Sequence, residues 1–364
     1  MQMKDSAEPS SVSVRLRKRL GRTYQRMRFL SSLRHLHGPR GVFAAPDEVT
    51  LIALVRDGSY YLDAFFDHYS SLGIRHFVFF DNGSEDDTIA RIRERPGTAI
   101  LQSRLPWGQF ENMFRSYAAQ RYAQNRWCLI VDMDEIFDFE GRAEVGLQGL
   151  TRYMSARGYT AMMAQMLEMF PKAPLAEVAD MTYPEVLRQF SWCDLSAITA
   201  HDYDAPDTGL SYFLNQNRIA VGGSQPLQVL FGGVRAKVFS EHCCLTKHPL
   251  VFVGPGVEAG VHPHAATGVT LAPMTGLLKH YKFANDSLAR DRKSVAEAAI
   301  AHGEDQLRLS VLSGKPDLSL WSEAALQAPD IATLQDKGFL IASEDYSQHT
   351  RTTGDTKGEA RTSD

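Results

Sequence analysis

The residues best suited to chemistry form a short acidic cluster, Asp132-Met133-Asp134-Glu135, directly after the apolar run Trp127–Val131. Three carboxylates so close together are costly to desolvate without a positive partner. An extended backbone sends alternate side chains to the same face, so Asp132 and Asp134 point together and Glu135 points away. Two hard oxygen ligands in that arrangement suit Mg²⁺ or Mn²⁺ and leave coordination positions for a diphosphate. Asp132 and Asp134 are the expected metal ligands. Glu135 is expected to hydrogen-bond the loop behind them.

The elements that must hold this cluster are legible upstream. Val49–Val55 is an apolar, β-branched run and reads as a strand. Tyr60–Leu72 has helical periodicity, with Leu62, Phe65, Phe66, Tyr69 and Leu72 on one face, and Gly73 closes it. His76–Phe80 reads as a second strand that runs into the turn Asp81-Asn82-Gly83-Ser84. Asp86-Asp87-Thr88 can cap a helix carrying Ile89 and Ile92; Thr98–Leu101 is a third strand, Met113–Gln124 a helix, and Trp127–Val131 a fourth strand. This alternation predicts an α/β fold with a mostly parallel, doubly wound sheet. Such sheets bind ligands at the carboxyl ends of their strands. Asp81 ends the second strand there, and Arg56 and Asp57 end the first. Read alone, Asp81 is equally an Asx-turn residue, and Arg56 an ion-pair partner of Asp81 or Asp57.

Beyond residue 140 the pattern loosens. Tyr159–Met169 is Met-rich and reads as core, and Leu175–Asp207 as an insertion or acceptor-side loop region. A smaller mixed region is expected there, followed by helical sequence from Ser287 towards Leu312. The expected organisation is a basic arm over 1–46 and one domain over 47–345. That domain divides into a nucleotide-binding half (47–140), an acceptor and metal half (141–285) and a C-terminal helical region (286–345). The Thr-, Gly- and charge-rich stretch 346–364 is expected to be disordered.

With 364 residues and 44% hydrophobic content, the chain can bury a large core. No apolar stretch reaches membrane-spanning length, and the first residues lack the apolar core of a signal peptide. Four cysteines without metal-ligand spacing fit a reducing cytoplasm. The sequence holds neither a P-loop nor a Gly-rich dinucleotide fingerprint, which argues against NTPases and dehydrogenases. A net charge of −4 conceals a basic arm: Arg15, Arg17, Lys18, Arg19, Arg22, Arg26, Arg28 and Arg34 interleave with Val14, Leu16, Leu20, Tyr24, Met27, Leu30 and Leu33. That arm reads as an amphipathic helix at an anionic membrane, as a solvated arm, or as a helix packed on the body. Nothing resembles a nucleic-acid reader.

Taken in order, several segments resemble a bacterial glycosyltransferase group related to family 2. They are Val55-Arg56-Asp57 with Phe66-x-His68-Tyr69 and Leu72-Gly73, then Phe80-Asp81-Asn82-Gly83-Ser84-x-Asp86-x-Thr88, then Val131 to Phe137. Met166 to Pro171, Gly232-Gly233-Val234-Arg235 and Leu277-Leu278-x-His280-Tyr281-Lys282-Phe283 follow. The resemblance covers roughly 49–345 and implies the GT-A, Rossmann-like fold of nucleotide-diphosphosugar transferases, with a divalent metal on the Asp-x-Asp. It implies a sugar-nucleotide donor, a bacterial surface glycan or glycolipid acceptor, and inversion at the anomeric carbon. His280 best fits the histidine that such enzymes add to the metal, with His262 and His264 next; each also reads as an ordinary core or loop residue. Asp81 would face the nucleoside, Asp132 the metal, a bound water or the ribose, and Arg235, Lys247 and Lys282 could supply charge to the diphosphate. Two departures stand out: Asp57-Gly58 replaces the group's usual Asn-Glu, and Glu168 stands where Asp is common.

A general base must take the acceptor hydroxyl's proton, and partial burial would tune a carboxylate for that role. Glu168, Asp194 and Glu185 are the candidates. Two other classes remain open: a nucleotidyltransferase or metal-dependent phosphohydrolase using the same acidic strand end, and a non-catalytic carbohydrate-binding protein on the same fold.

Overall fold

The computed structural model describes residues 12–205, 208–297, 303–315 and 317–362, with side chains from residue 19 to residue 355. Arg15, Arg17 and Lys18 of the basic arm therefore lie outside the described side chains. The first elements are α1 (Val12–Ser32), β1 (Arg34–His37), β2 (Val49–Val55), α2 (Leu62–Ser71), β3 (His76–Asp81), α3 (Thr88–Arg93), β4 (Thr98–Gln102) and α4 (Trp107–Tyr122). β5 (Trp127–Asp132), β6 (Glu135–Asp138), α5 (Arg142–Ala156) and β7 (Ala161–Glu168) follow. The helix expected over Met113–Gln124 begins earlier, at Trp107, because Phe110 and Phe114 bury on the same face as Ala118 and Tyr122.

The alternation of the strands divides one sheet between two cores. Leu51, Ala53 and Val55 of β2 join Phe65, Phe66 and Tyr69 of α2 on one face. Ile52 and Leu54 join Phe110, Phe114 and Ala118 of α4 on the other. Burial on both faces is why these strands read as unbroken apolar runs.

β4, β3, β2 and β5 are parallel neighbours in that order. The whole sheet is mixed, not purely parallel. β1 pairs antiparallel to β4 at the edge, and the strand Thr246–Phe252 lies antiparallel between β5 and β7. The long strand Thr270–His280 then runs parallel to β7 and pairs antiparallel with β6. The reason is topological. β7 ends at the carboxyl edge, the chain makes an excursion over 169–245, and it re-enters the sheet from that same edge. Thr246–Phe252 must therefore run backwards, and its first residues meet the ends of β5 and β7.

The stretch expected to be disordered carries a helix over Glu344–Thr362. Tyr346 anchors it: the side chain is buried, its ring lies 4.8 Å from Tyr153 of α5, and its hydroxyl donates to Glu140 O at 2.9 Å. One buried aromatic outweighs the polar composition that suggested disorder. No helix among the described residues is long and apolar enough to cross a membrane.

Candidate functional site

A cavity of about 530 Å³ opens at the carboxyl edge, and Asp132, Asp134, Glu135, Lys247 and His280 all line it. Arg56 from the end of β2 and Trp107, Glu111 and Arg115 from the start of α4 complete one side. Lys282, Arg290 and Arg235 come from segments far downstream.

The acidic cluster is answered by cations of the chain itself. Lys247 Nζ lies 2.8 Å from Asp132 Oδ2 and also bonds Glu135 Oε1. Arg115 adds a contact of 3.6 Å to Asp132 while holding Glu111 at 2.8 Å. Burial works against ionised Asp132, but Lys247 and Arg115 outweigh it and hold the carboxyl below the usual carboxylate range. Glu135 was expected to point away from the aspartates, but the chain turns at Met133 and Asp134 instead of staying extended: Glu135 lines the same cavity, shares Lys247 with Asp132, and its Oε2 accepts the backbone N–H of Asp132 at 2.9 Å.

Asp134 faces His280, whose Nε2 lies 3.5 Å from its Oδ2. The other ring nitrogen, Nδ1, bonds Glu168 Oε1 at 2.8 Å. A carboxylate accepts only, so Nδ1 carries the proton and the ring orientation is set. Register explains the meeting: His280 pairs across from Glu168 in β7 and from Glu135 in β6. Behind Glu168 runs a buried ionic chain. Arg235 Nε lies 3.2 Å from Glu168, Arg235 reaches Glu241 at 3.0 Å, and Arg308 bridges Glu241 and Asp291 at 2.8 Å each.

Burial disfavours a charged His280, yet Glu168 and Asp134 prevail and raise its pKa to about 9. A folded-state pKa above the unfolded value of 6.5 gives stability that is full below pH 6.5 and is lost as the pH rises through about 9. In metal-free buffer, urea unfolding is expected to show a loss on the order of 3 kcal/mol across that window. His280→Gln should flatten the slope; an unchanged slope would show that other groups carry it.

Lys282 and Arg290 bring positive charge to the same cavity. Both act on Asp134, lowering its pKa further after His280. Burial, then Arg308, lowers the pKa of Lys282 itself. Arg290 reaches back to the Lys282 carbonyl from the helix Ser287–Ala296, and its Nε is buried without a hydrogen-bond partner. Arg56 stands at the rim, paired with Glu297 at 3.0 Å.

Other expected site residues are placed elsewhere. Asp81 is fully buried and accepts from Gly83 N, Ser84 N and Gln102 Nε2; it shapes the turn and does not line the cavity. Asp57 sits at φ 50°, accepts from Glu85 N at 2.8 Å and pairs with Lys293. The glycine after it has a physical reason: a Cβ on Gly58 would meet Val55 Cγ2 at 2.5 Å, so the glutamate of the resembling group has no room here. Asp194 is held by Lys237 at 2.6 Å and by Ser196 N, outside the cavity. Glu185 closes the capping box of the helix Tyr183–Gln189. Neither is placed to act as the base, and Glu168 is committed to His280 and Arg235. Lys247 and Arg235 line the cavity but are committed to Asp132, Glu135, Glu168 and Glu241, as Arg56 is to Glu297 at the rim.

His264 lines the same cavity. Its Nδ1 donates to Thr246 O at 2.9 Å, and burial with nearby Lys247 holds its pKa well below the usual value. With Nδ1–H committed to that carbonyl, Nε2 is the ring nitrogen able to accept a proton or bind a cation. His262 lines a smaller neighbouring pocket.

A divalent cation fits the Asp134–His280 pair. Glu168 accepts a hydrogen bond from Nδ1–H, as carboxylates do behind metal-bound histidines, and Nε2 faces Asp134, where a cation would replace the Nε2 proton. Among the described residues no group of three or more His, Cys, Asp or Glu is arranged to hold a metal alone. A cation would complete its shell from phosphate oxygens and water, the usual mode for Mg²⁺. Asp132, clamped by Lys247 and Arg115, fits less well than expected. Arg115 and Arg290 went unnoticed in the sequence. Arg115 stands four residues after Glu111, a spacing that reads as a surface ion pair, and only burial reveals otherwise. Compared with known families and curated proteins, the chain matches no family model and no curated protein.

Proposed function

We propose that this chain is a glycosyltransferase that moves a sugar from a nucleotide-diphosphosugar to a hydroxyl acceptor, with inversion. One observation carries the reading: at the carboxyl edge of the sheet, Asp134 and His280 share a cavity with Lys282, Arg290 and Arg56. A diphosphate is the ligand whose charge would engage these cations while its oxygens complete a metal shell. The order of the resembling motifs supports a glycan or glycolipid acceptor.

The chain's own groups divide the work. Lys282, Arg290 and Arg56 bind the diphosphate and offset the negative charge that grows as the anomeric C–O bond breaks. A divalent metal bound at Asp134 and His280 would add Lewis-acid neutralisation of that leaving group. His264 Nε2 accepts the proton of the acceptor hydroxyl as its oxygen attacks the anomeric carbon. Glu168 and Arg235 hold His280 in place.

Calorimetry with UDP and GDP, each with and without Mn²⁺, tests the reading. Binding of one of them, strengthened by Mn²⁺, is the expected result. A true donor in excess should raise stability by roughly 2–4 kcal/mol in a thermal-shift panel. Failure of both nucleotides to bind would sink the proposal. Release of inorganic phosphate or pyrophosphate from nucleotides would instead indicate a phosphohydrolase or nucleotidyltransferase.

A further inference from the structure

We propose that α1 docks on the surface of an anionic lipid bilayer, an inference that stands without the transferase reading. α1 carries seven Lys and Arg and no acidic residue, and no Asp or Glu follows before Asp47. Its inner side is anchored by Phe29, buried with ring contacts of 6.2 Å to Phe80, 5.9 Å to Phe114 and 5.3 Å to Tyr117. Its outer side is apolar: Leu20, Tyr24 and Met27 are 60%, 58% and 58% exposed.

At 3.6 residues per turn, these three side chains fall within about 60° of one another, roughly opposite Phe29. Arg28 flanks the ridge on one side, its guanidinium also lying 5.4 Å from the ring centre of Phe110, and Arg19 flanks it on the other, with Arg26 turned further towards the Phe29 side. Arg28 lies 6.0 Å from the Tyr24 ring centre. An apolar ridge between arginines is the form of a helix lying in a lipid interface: the ridge enters the acyl boundary and the guanidinium groups meet phosphates.

Charge decides the occupant. A second copy laid ridge to ridge would bring arginine against arginine, with no acid on the helix to offset them. An anionic bilayer offers phosphates to those beside the ridge. Beside α1 a groove of about 1290 Å³ is lined by Arg22 and Arg26, which gives headgroups room. α4 separates this groove from the Asp134–His280 cavity: Asn112 and Ser116 line the groove, and Glu111 and Arg115 the cavity. A bilayer held by α1 would lie one helix diameter, about 10 Å, from the site.

Co-sedimentation of the full chain with phosphatidylcholine vesicles, with and without phosphatidylglycerol, tests this in the absence of nucleotide. Binding to the anionic vesicles alone is expected. Arg19→Gln and Arg26→Gln should each weaken it roughly fivefold. Leu20→Asp with Met27→Asp should weaken it at least as much, and these exposed changes leave the Phe29 anchor intact. Tyr24→Trp should show emission shifted to shorter wavelength on binding. Three results would overturn the proposal: no binding to anionic vesicles; full binding by the Leu20→Asp, Met27→Asp variant, which would mean adsorption by charge alone; or a concentration-dependent dimer in light scattering that the same variant abolishes, which would make the second copy the occupant.

Discussion

Asp134→Asn is expected to lose both Mn²⁺-dependent nucleotide binding and sugar transfer, the latter by roughly a thousandfold. The variant removes the negative charge that faces His280 at 3.5 Å, while Glu168 keeps its own bond to the ring, so the fold should persist. His264→Gln should behave differently. It touches neither the Asp134–His280 pair nor the diphosphate cations, so nucleotide binding should survive while transfer falls by about 10²–10⁴. The contrast separates holding the donor from activating the acceptor. Equal loss of nucleotide binding in both variants would remove the base role from His264. Full transfer by Asp134→Asn would remove Asp134 from the site altogether.

Lys247→Met should give the largest loss of stability. The ammonium is the shared partner of Asp132 and of Glu135, whose side chain is fully buried. Removing it strands a carboxylate in the interior, a change that costs about 3–5 kcal/mol. Asp132 retains Arg115 and is one-third exposed, so the penalty falls mainly on Glu135. Lower pH should ease the defect, because protonation removes the stranded charge. Adding Glu135→Gln should likewise recover part of the loss. Urea unfolding of the single and double variants at neutral and acidic pH measures each of these effects. A cost below about 1 kcal/mol for Lys247→Met would mean that water reaches Glu135 and replaces the ammonium.

Residues 47–140 were the most legible part of the chain. β2, β3, β4 and β5 all lie where their apolar runs placed them, and α2 buries Leu62, Phe65, Phe66 and Tyr69 as its periodicity required. The antiparallel entry of Thr246–Phe252 was not legible, because strand direction depends on where a long excursion returns. The site followed the same division. Asp132, Asp134 and His280 do share one cavity, and Glu135, expected to turn away from it, lines it too. The proposed base did not emerge from composition: the apolar setting of Glu168 suits that role, yet that setting also supplies His280 and Arg235, which occupy it. Asp194 is taken by Lys237, 43 positions away, whereas the partner of Glu185 was legible, since Thr182-x-x-Glu185 has capping-box spacing.

What the sequence determined by itself is what short-range periodicity controls. Period-two and period-3.6 patterns are set by neighbouring residues, so they place the strands, their buried faces and the acidic cluster at a strand exit. What only the tertiary structure decided is which charge each of those acids meets. Lys247 lies 115 positions from Asp132, and His280 lies 112 positions from Glu168. Their meeting depends on strand order and register across the sheet. Those long-range pairings turn the Asp-x-Asp from two equivalent carboxylates into one clamped by Lys247 and Arg115 and one that faces His280.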